Sequence, residues 1–282
     1  MKPILVFQTD FTYKEGAVSA MYGVVKTVDR TLEIMDGTHE LPRYDTWSAS
    51  YRLLQTVRFW PKGTVFVSVV DPGVGTSRRS CVAKTADGYY IVTPDNGTLT
   101  HIAASHGIAK VRQIDETVNR LPATVGTSVF HGRDVFAYTA ARFASGVIGY
   151  EEIGPEYPVE EIMRHPLISC SVQDGVVRGI FEIGDPNFGN LWTNIPYETF
   201  ARAGFAYGDT LTLRVLHGDK LVRSFFAPFA PSFGFVEKGA PVIYTNELMR
   251  IGAALAQADL SERYGLGFGP DWTVEFSKRG EA

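Results

Sequence analysis

Cysteine is scarce in this chain. Only Cys81 and Cys170 occur, far apart in sequence, which excludes a disulfide framework and leaves no C-x-x-C pair for zinc or redox chemistry. A reduced, cytoplasmic compartment is the expectation. Long apolar runs are also missing. None approaches the roughly 20 residues of a membrane helix, and Ile4-Leu5-Val6-Phe7 is too short for a signal-peptide core, with Asp10 following almost at once. Nor is there an excess of positive charge: 27 Lys and Arg stand against 31 Asp and Glu, a net charge of −4. With no basic block or face, neither nucleic acid nor an anionic membrane is expected as a partner. The tight motifs Gly-Lys-Ser/Thr, H-E-x-x-H, H-x-H and G-x-S-x-G are absent, as are internal repeats and low-complexity tracts.

What is present is the composition of an ordinary globular protein, with 45% hydrophobic and 21% charged residues over 282 positions. That length predicts one large or two moderate domains. The first part alternates strand and helix patterns. Ile4 to Thr9 reads as a strand, Ala17 to Val25 as a helix and Leu32 to Met35 as a second strand. Tyr44 to Trp60 reads as a helix capped by Asp45, and Thr64 to Val70 as a strand buried on both faces. This is parallel α/β alternation. A hairpin over Cys81–Lys84 and Tyr89–Thr93 follows, then a short helix over Leu99–Ala104, and a helix over Val135–Ala144 with His131 just before its start.

From Gly149 to Pro166 the chain is rich in Glu and Pro and reads as an interdomain linker, giving domains of 1–165 and 166–282. Beyond it the period moves towards two. Ser169–Val172, Val176–Phe181, Thr210–Val215 and Leu221–Phe225 are short strands between Asp-Gly and Gly-Asp turns, the pattern of a small antiparallel barrel or sandwich.

Chemistry concentrates in the loop Asp71-Pro72-Gly73-Val74-Gly75-Thr76-Ser77-Arg78-Arg79 at the end of the buried strand, where open α/β sheets bind ligands. The loop is either a turn closed by an ordinary Asp–Arg ion pair or a functional loop; Arg78 stands where the third glycine of G-x-G-x-x-G belongs, which disfavours a phosphate loop. Asp10, Asp36, His39, Asp71, Asp95, His131 and Asp134 form a carboxylate and imidazole set open to two readings, ligands of a divalent ion or helix caps. Asp71 with His131 has the makings of an acid-oriented general base acting on water, against a plain capping role for His131. In the second half, Asp185-Pro186-Asn187-Phe188-Gly189-Asn190-Leu191-Trp192-Thr193-Asn194 is either a β-bulge and turn with core aromatics or a surface whose Phe188 and Trp192 stack on a purine while Asn190 and Asp185 bond its polar groups.

The segments QTDFTYKEGAVSAMYGVV, MDGTHELPRYD, VVDPGVGTSRRS, TPDNGTLT, VFHGRD and DPNFGNLWTNI, spanning about residues 8 to 195, resemble the S-adenosylmethionine hydroxide adenosyltransferases, the adenosine-forming S-adenosylmethionine hydrolases related to fluorinase and chlorinase. The resemblance implies an N-terminal α/β domain with a mostly parallel sheet, a C-terminal antiparallel β-barrel domain, and a homotrimer whose sites lie between neighbouring subunits. S-adenosyl-L-methionine is then the substrate, with no cofactor and no metal. Asp71, Arg78 and His131 fall on the family's catalytic set and Asp10 on the acid that holds the ribose hydroxyls. Asp185, Phe188, Asn190 and Trp192 fall on the region receiving the methionine and adenine parts, while Tyr44 stands at a variable position able to lie over the ligand. Thr12 replaces a usual glycine, and Glu247, within 244–250, replaces a common small hydroxyl residue. In the halogenating relatives the stretch equivalent to Asp71–Val74 lacks the acid, and fluorinase carries a hydroxyl residue at the position of Gly132.

Overall fold

The computed structural model describes residues 2–278, and the chain divides into two compact units, the first ending at His165 and the second beginning at Pro166. The first unit contains β1 (Leu5–Thr9), α1 (Ala17–Val28), β2 (Ile34–Thr38), α2 (Thr46–Val57), β3 (Val65–Val69), β4 (Ser80–Thr85), β5 (Tyr90–Pro94), α3 (Thr100–Ser105) and β6 (Ile108–Gln113). A π-helical turn, Gly132–Ala137, then runs into α4 (Tyr138–Ser145). The sheet has the order β2-β1-β3-β5-β4-β6. Its β2, β1, β3 and β5 are mutually parallel, while β4 runs antiparallel to β5 and β6.

Alternation along the central strands sends side chains to both faces. Leu5, Phe7, Val65, Val67 and Val69 join one buried cluster with Met21 and Val25 of α1 and Ala140 and Ala141 of α4. Val6 and Phe66 join another with Leu53 and Val57 of α2 and Ile102 of α3. Helices therefore cover both faces, as a parallel sheet requires. Asp45 caps α2 as its sequence position predicts, its carboxylate accepting from Ser48 N at 3.0 Å.

Two expectations need correction. The second strand begins at Ile34, two residues later than its apolar pattern suggests, and extends through Asp36-Gly37-Thr38; Leu32 is buried in the core ahead of it. The stretch 149–165 is not a linker. It folds back on the first unit as two 3-10 turns, burying Tyr150, Ile153 and Ile162. Asp95 holds it in place by accepting from Met163 N at 2.8 Å and Tyr157 OH at 3.0 Å.

The second unit contains β7 (Ser171–Gln173), β8 (Val176–Gly184), β9 (Leu191–Pro196), α5 (Tyr197–Arg202), β10 (Thr210–His217), β11 (Lys220–Pro228), β12 (Pro241–Thr245), β13 (Arg250–Leu255), α6 (Leu260–Tyr264) and β14 (Trp272–Lys278). Antiparallel pairing follows β11-β10-β14-β8-β9-β13-β12, with β7 on β8. A bridge between Phe229 and Ile243 brings the two ends together, so the sheet is a nearly closed barrel around Phe181, Leu213, Phe229, Ile251 and Phe276. β9 takes up the second half of the amide-rich stretch 185–194, after its turn. Asn194, which interrupts its apolar pattern, is buried because its Oδ1 accepts from Ile180 N at 2.9 Å and its Nδ2 donates to Ile168 O at 2.6 Å.

Candidate active site

The chain passes from β1 to β2 on one side and then to β3 on the other, so the connections leaving β1 and β3 diverge at the carboxyl ends of two adjacent strands. Such a switch point leaves a crevice where α/β sheets take their ligands. Thr9 and Val69 are in register, so Asp10 and the Asp71 loop start side by side. Past Asp10 the backbone turns at Thr12, φ 59°, whose N donates to His39 O at 2.8 Å.

The Asp71 loop doubles back through two tight turns, Val74 N to Asp71 O at 3.3 Å and Thr76 N to Gly73 O at 3.1 Å. Gly75 makes this possible: its φ is 76°, and a Cβ there would stand 2.8 Å from Ser128 O. The turns return Arg78 onto Asp71. A cavity of about 280 Å3 opens here, its wall including Asp10, Tyr44, Arg43, Asp71, Phe130 and His131.

On and behind its wall the charges are joined in one array. Arg78 Nε donates to Asp71 Oδ1 at 2.9 Å and Oδ2 at 3.1 Å, Arg78 Nη2 also pairs with Oδ2, and the same Nη2 donates to His131 Nδ1 at 2.9 Å. Both side chains of the ion pair are nearly buried, so screening by solvent is weak. The structure corrects the expected Asp71–His131 contact. Arg78 lies between the two, and it stands behind the cavity wall that they form.

An arginine has no lone pair to offer, so Nδ1 is the acceptor and the imidazole proton sits on Nε2. That Nε2 is buried and has no hydrogen-bond partner among the described residues. Burial, and next the charges of Arg78 and Arg120, push His131 below its ordinary pKa, with Glu116 and Asp71 opposing. That shift favours the neutral ring.

Asp10 accepts from Tyr44 N at 2.9 Å. Its carboxyl is nevertheless raised above its usual value, mainly by burial and further by the Asp71 charge. Tyr44 itself has φ 65° and a largely exposed ring. Ser80 and Glu116 were not singled out from sequence, yet Arg78 Nη1 donates to Ser80 Oγ at 2.7 Å and Ser80 Oγ to Glu116 Oε1 at 3.1 Å.

The remaining carboxylates and imidazoles lie off this cavity wall, His39 and Asp36 paired at 3.3 Å. His39 is fixed by Thr9 Oγ1 and Tyr22 OH, both at 2.8 Å, and Asp36 by the Tyr13 and Tyr22 hydroxyls. Asp95 ties down the 149–165 stretch, and Asp134 pairs with Arg133 at 2.6 Å. Among the described residues no three His, Cys, Asp or Glu side chains are grouped to hold a metal ion.

The second unit has its own cavity, about 590 Å3, lined by Asn187, Phe188, Asn190, Phe233, Leu255, Gln257, Ala258 and Asp259. The Phe188 ring is mostly exposed and Asn190 buried. Asp185 forms the turn beneath them, accepting from Asn187 N at 3.0 Å and Phe188 N at 3.3 Å. Trp192 is not on this wall. It lies on β9, 6% exposed, and its Nε1 donates to Tyr244 OH at 2.8 Å. The divergent stretch 244–250 is a tight turn in which Asn246 Oδ1 accepts from Leu248 N and Arg250 N.

Comparison with known proteins adds a family and several relatives. Residues 5–154 match the SAM hydroxide adenosyltransferase N-terminal domain and residues 182–273 its C-terminal domain. A protein of Methanocaldococcus jannaschii named (R)-S-adenosyl-L-methionine hydrolase is 32% identical over 247 residues, covering 86% of this chain and 84% of its own. A fluorinase of Actinoplanes is 29% identical over 296 residues, covering 96% and 97%. The crystal structure of an uncharacterized conserved protein from Thermotoga maritima superposes with a TM-score of 0.88 at 31% identity, covering 98% of this chain and all of that one.

Proposed function

The chain belongs to the SAM hydroxide adenosyltransferase family, and from that premise we propose that it hydrolyses S-adenosyl-L-methionine to adenosine and L-methionine by in-line attack of water on C5′. The observation that carries the reading is the hydrogen-bonded array of Asp71, Arg78 and His131, whose Asp71 and His131 share one cavity wall with Asp10. The sulfonium leaves as neutral methionine and needs no general acid. What the protein has to supply is an oriented nucleophile in a site shielded from bulk water. His131 suits that task as a ring on the cavity wall whose protonated Nε2 has no partner among the described residues. Arg78 fixes the ring and carries the charge that offsets Asp71, and Asp71, on the same cavity wall as His131, is the carboxylate of the array to receive the proton that water loses. Asp10 accepts from the ribose hydroxyls, and Tyr44 lies over the ligand.

The methionine and adenine parts are assigned to the second unit, with Phe188 stacking on the purine and Asn190 bonding its polar edge, both on the cavity wall there. Asp185 supports the turn that presents them. Trp192 acts through the barrel wall beneath. Because each unit carries its own cavity, the proposal includes a homotrimer in which a neighbour's second unit completes the site. No described helix is long and apolar enough to cross a membrane, and a cytoplasmic setting accords with the free thiols of Cys81 and Cys170.

Water, and not a halide, is the nucleophile of this reading. Arg78 already takes up the charge of Asp71, so its guanidinium is not free to hold a halide, and Gly132 offers no side-chain donor: a Cβ there would stand 3.1 Å from the Phe11 ring and 3.2 Å from that of Phe130, so a hydroxyl residue would require those rings to shift. The test is product analysis by mass spectrometry in isotopically labelled water, with chloride, fluoride or a chelator added in parallel. Adenosine labelled at its 5′-oxygen is expected in every arm, with turnover reduced by a factor on the order of 10² or more in Asp71→Asn, Arg78→Ala and His131→Ala. A halogenated nucleoside exceeding adenosine, loss of turnover in chelator, or full turnover in His131→Ala would each defeat the proposal.

A further inference from the structure

Three side chains that the assignment above leaves out lie against the array: Ser80 at the start of β4, and Glu116 and Arg120 in the connection after β6. We propose that Glu116, acting through Ser80, is a positioning residue for the hydrolysis, holding Arg78 in its plane against Asp71 and keeping the His131 proton on Nε2. This rests on the reading of Asp71, Arg78 and His131 given above.

The direction of the hydrogen bonds is fixed by chemistry. Arg78 only donates, so at 2.7 Å Ser80 Oγ is the acceptor from Nη1, and its single proton is left for Glu116 Oε1 at 3.1 Å. Ser80 is buried, and an acceptor for its hydroxyl proton is what keeps the oxygen's lone pair turned to Arg78. Glu116 Oε2 is held in turn by Arg120 Nη1 at 2.8 Å. The guanidinium is thus pinned from two sides, by Asp71 at Nε and Nη2 and by Ser80 at Nη1. Only in that plane does the second Nη2 proton reach His131 Nδ1.

Charge balance gives the second half of the argument. The groups facing His131 from neighbouring elements are Asp71 and Arg78 of the loop after β3 and Glu116 and Arg120 of the connection after β6, two carboxylates against two guanidiniums. On its own turn Arg133 and Asp134 neutralise each other, and Asp10 lies across the cavity. Glu116 Oε1 is 3.9 Å from His131 Nδ1. Removing its charge leaves an excess of one positive charge about the ring, so protonating His131 becomes harder, while the Ser80 bond survives if the replacement is an amide.

Two variants separate these effects. In Glu116→Gln, an NMR pH titration of the labelled His131 imidazole nitrogens, without substrate, is expected to move to lower pH, and the acidic limb of kcat/KM to move with it. In Ser80→Ala the charges are retained and the brace is lost. There the titration midpoint should not move to lower pH while kcat falls roughly tenfold to a hundredfold, with KM little changed because neither residue is on the cavity wall. Glu116→Asp should retain the parent titration. The inference is overturned if Glu116→Gln leaves the His131 titration in place, if Nδ1 rather than Nε2 carries the proton in the parent, or if Ser80→Ala keeps full kcat. The nitrogen titration needs no turnover, so it tests the network even if hydrolysis itself is not found.

Discussion

Asp10 is a half-buried carboxylate whose surroundings on balance do not stabilise its charge. Burial raises its carboxyl pKa although Tyr44 N donates to it, so the native state holds the Asp10 proton more tightly than the unfolded chain does. By linkage, the stabilisation that this proton gives is fully present below the unfolded value near ~3.9 and is lost as pH rises through the raised folded value. At neutral pH the ionised side chain therefore weakens the fold. Asp10→Asn keeps an oxygen for Tyr44 N and removes the charge, so calorimetry at pH 7 should give a higher Tm than the parent, the difference closing as pH falls towards about 3.5. If Asp10 holds the ribose hydroxyls as proposed, the same variant should raise KM at least about tenfold through two weakened charge-assisted bonds. An unchanged or lower Tm at pH 7 would show that the carboxylate is not strained by its surroundings.

At the level of elements, the loop from Asp71 to Arg79 owes its shape to one glycine. Gly75→Ala combines a left-handed φ with a contact of 2.8 Å against Ser128 O, and a loss of about 1–3 kcal/mol in denaturant unfolding is expected. Turnover should fall further than stability, because the loop carries both Asp71 and Arg78; parent-like activity would mean the loop tolerates another path. The loop's placement was legible in sequence, since a β-branched run followed by Asp-Pro-Gly ends a buried strand, and so were the Asp45 cap and the position of His131 at a helix start. The order of contacts was not. That Arg78 reaches His131 and separates it from Asp71 depends on two turns folding back, and spacing along the chain does not encode that. Ser80 and Glu116 were missed because a lone serine and a lone glutamate carry no periodic signal. The stretch 149–165 resembled a linker because its few anchoring apolar residues, Tyr150, Ile153 and Ile162, are scattered among Glu and Pro and bury against distant strands. In the barrel, β9 was obscured by Asn194, whose hydrogen bonds across strands replace the apolar contact that alternation looks for.

For the whole molecule, the division of labour lies between two units with separate cores. The first has the hydrogen-bonded array and a cavity of about 280 Å3, the second an aromatic and amide-lined cavity of about 590 Å3 with no counterpart to that array on its wall. If one chain's first unit works with a neighbour's second unit, the two functions must be separable by mutation and recoverable by mixing. His131→Ala disables the first unit and leaves the second intact; Phe188→Ala with Asn190→Ala does the reverse. Each alone should be nearly inactive. Refolded together from an equal mixture, their trimers would pair an intact first unit with an intact neighbouring second unit at about one site in four, so activity should recover to about a quarter of the parent's. Native mass spectrometry establishes that mixed assemblies have formed. Mixed trimers without recovered activity would place the whole reaction within single chains, and activity in a species that sediments as a monomer would dispense with the neighbour altogether.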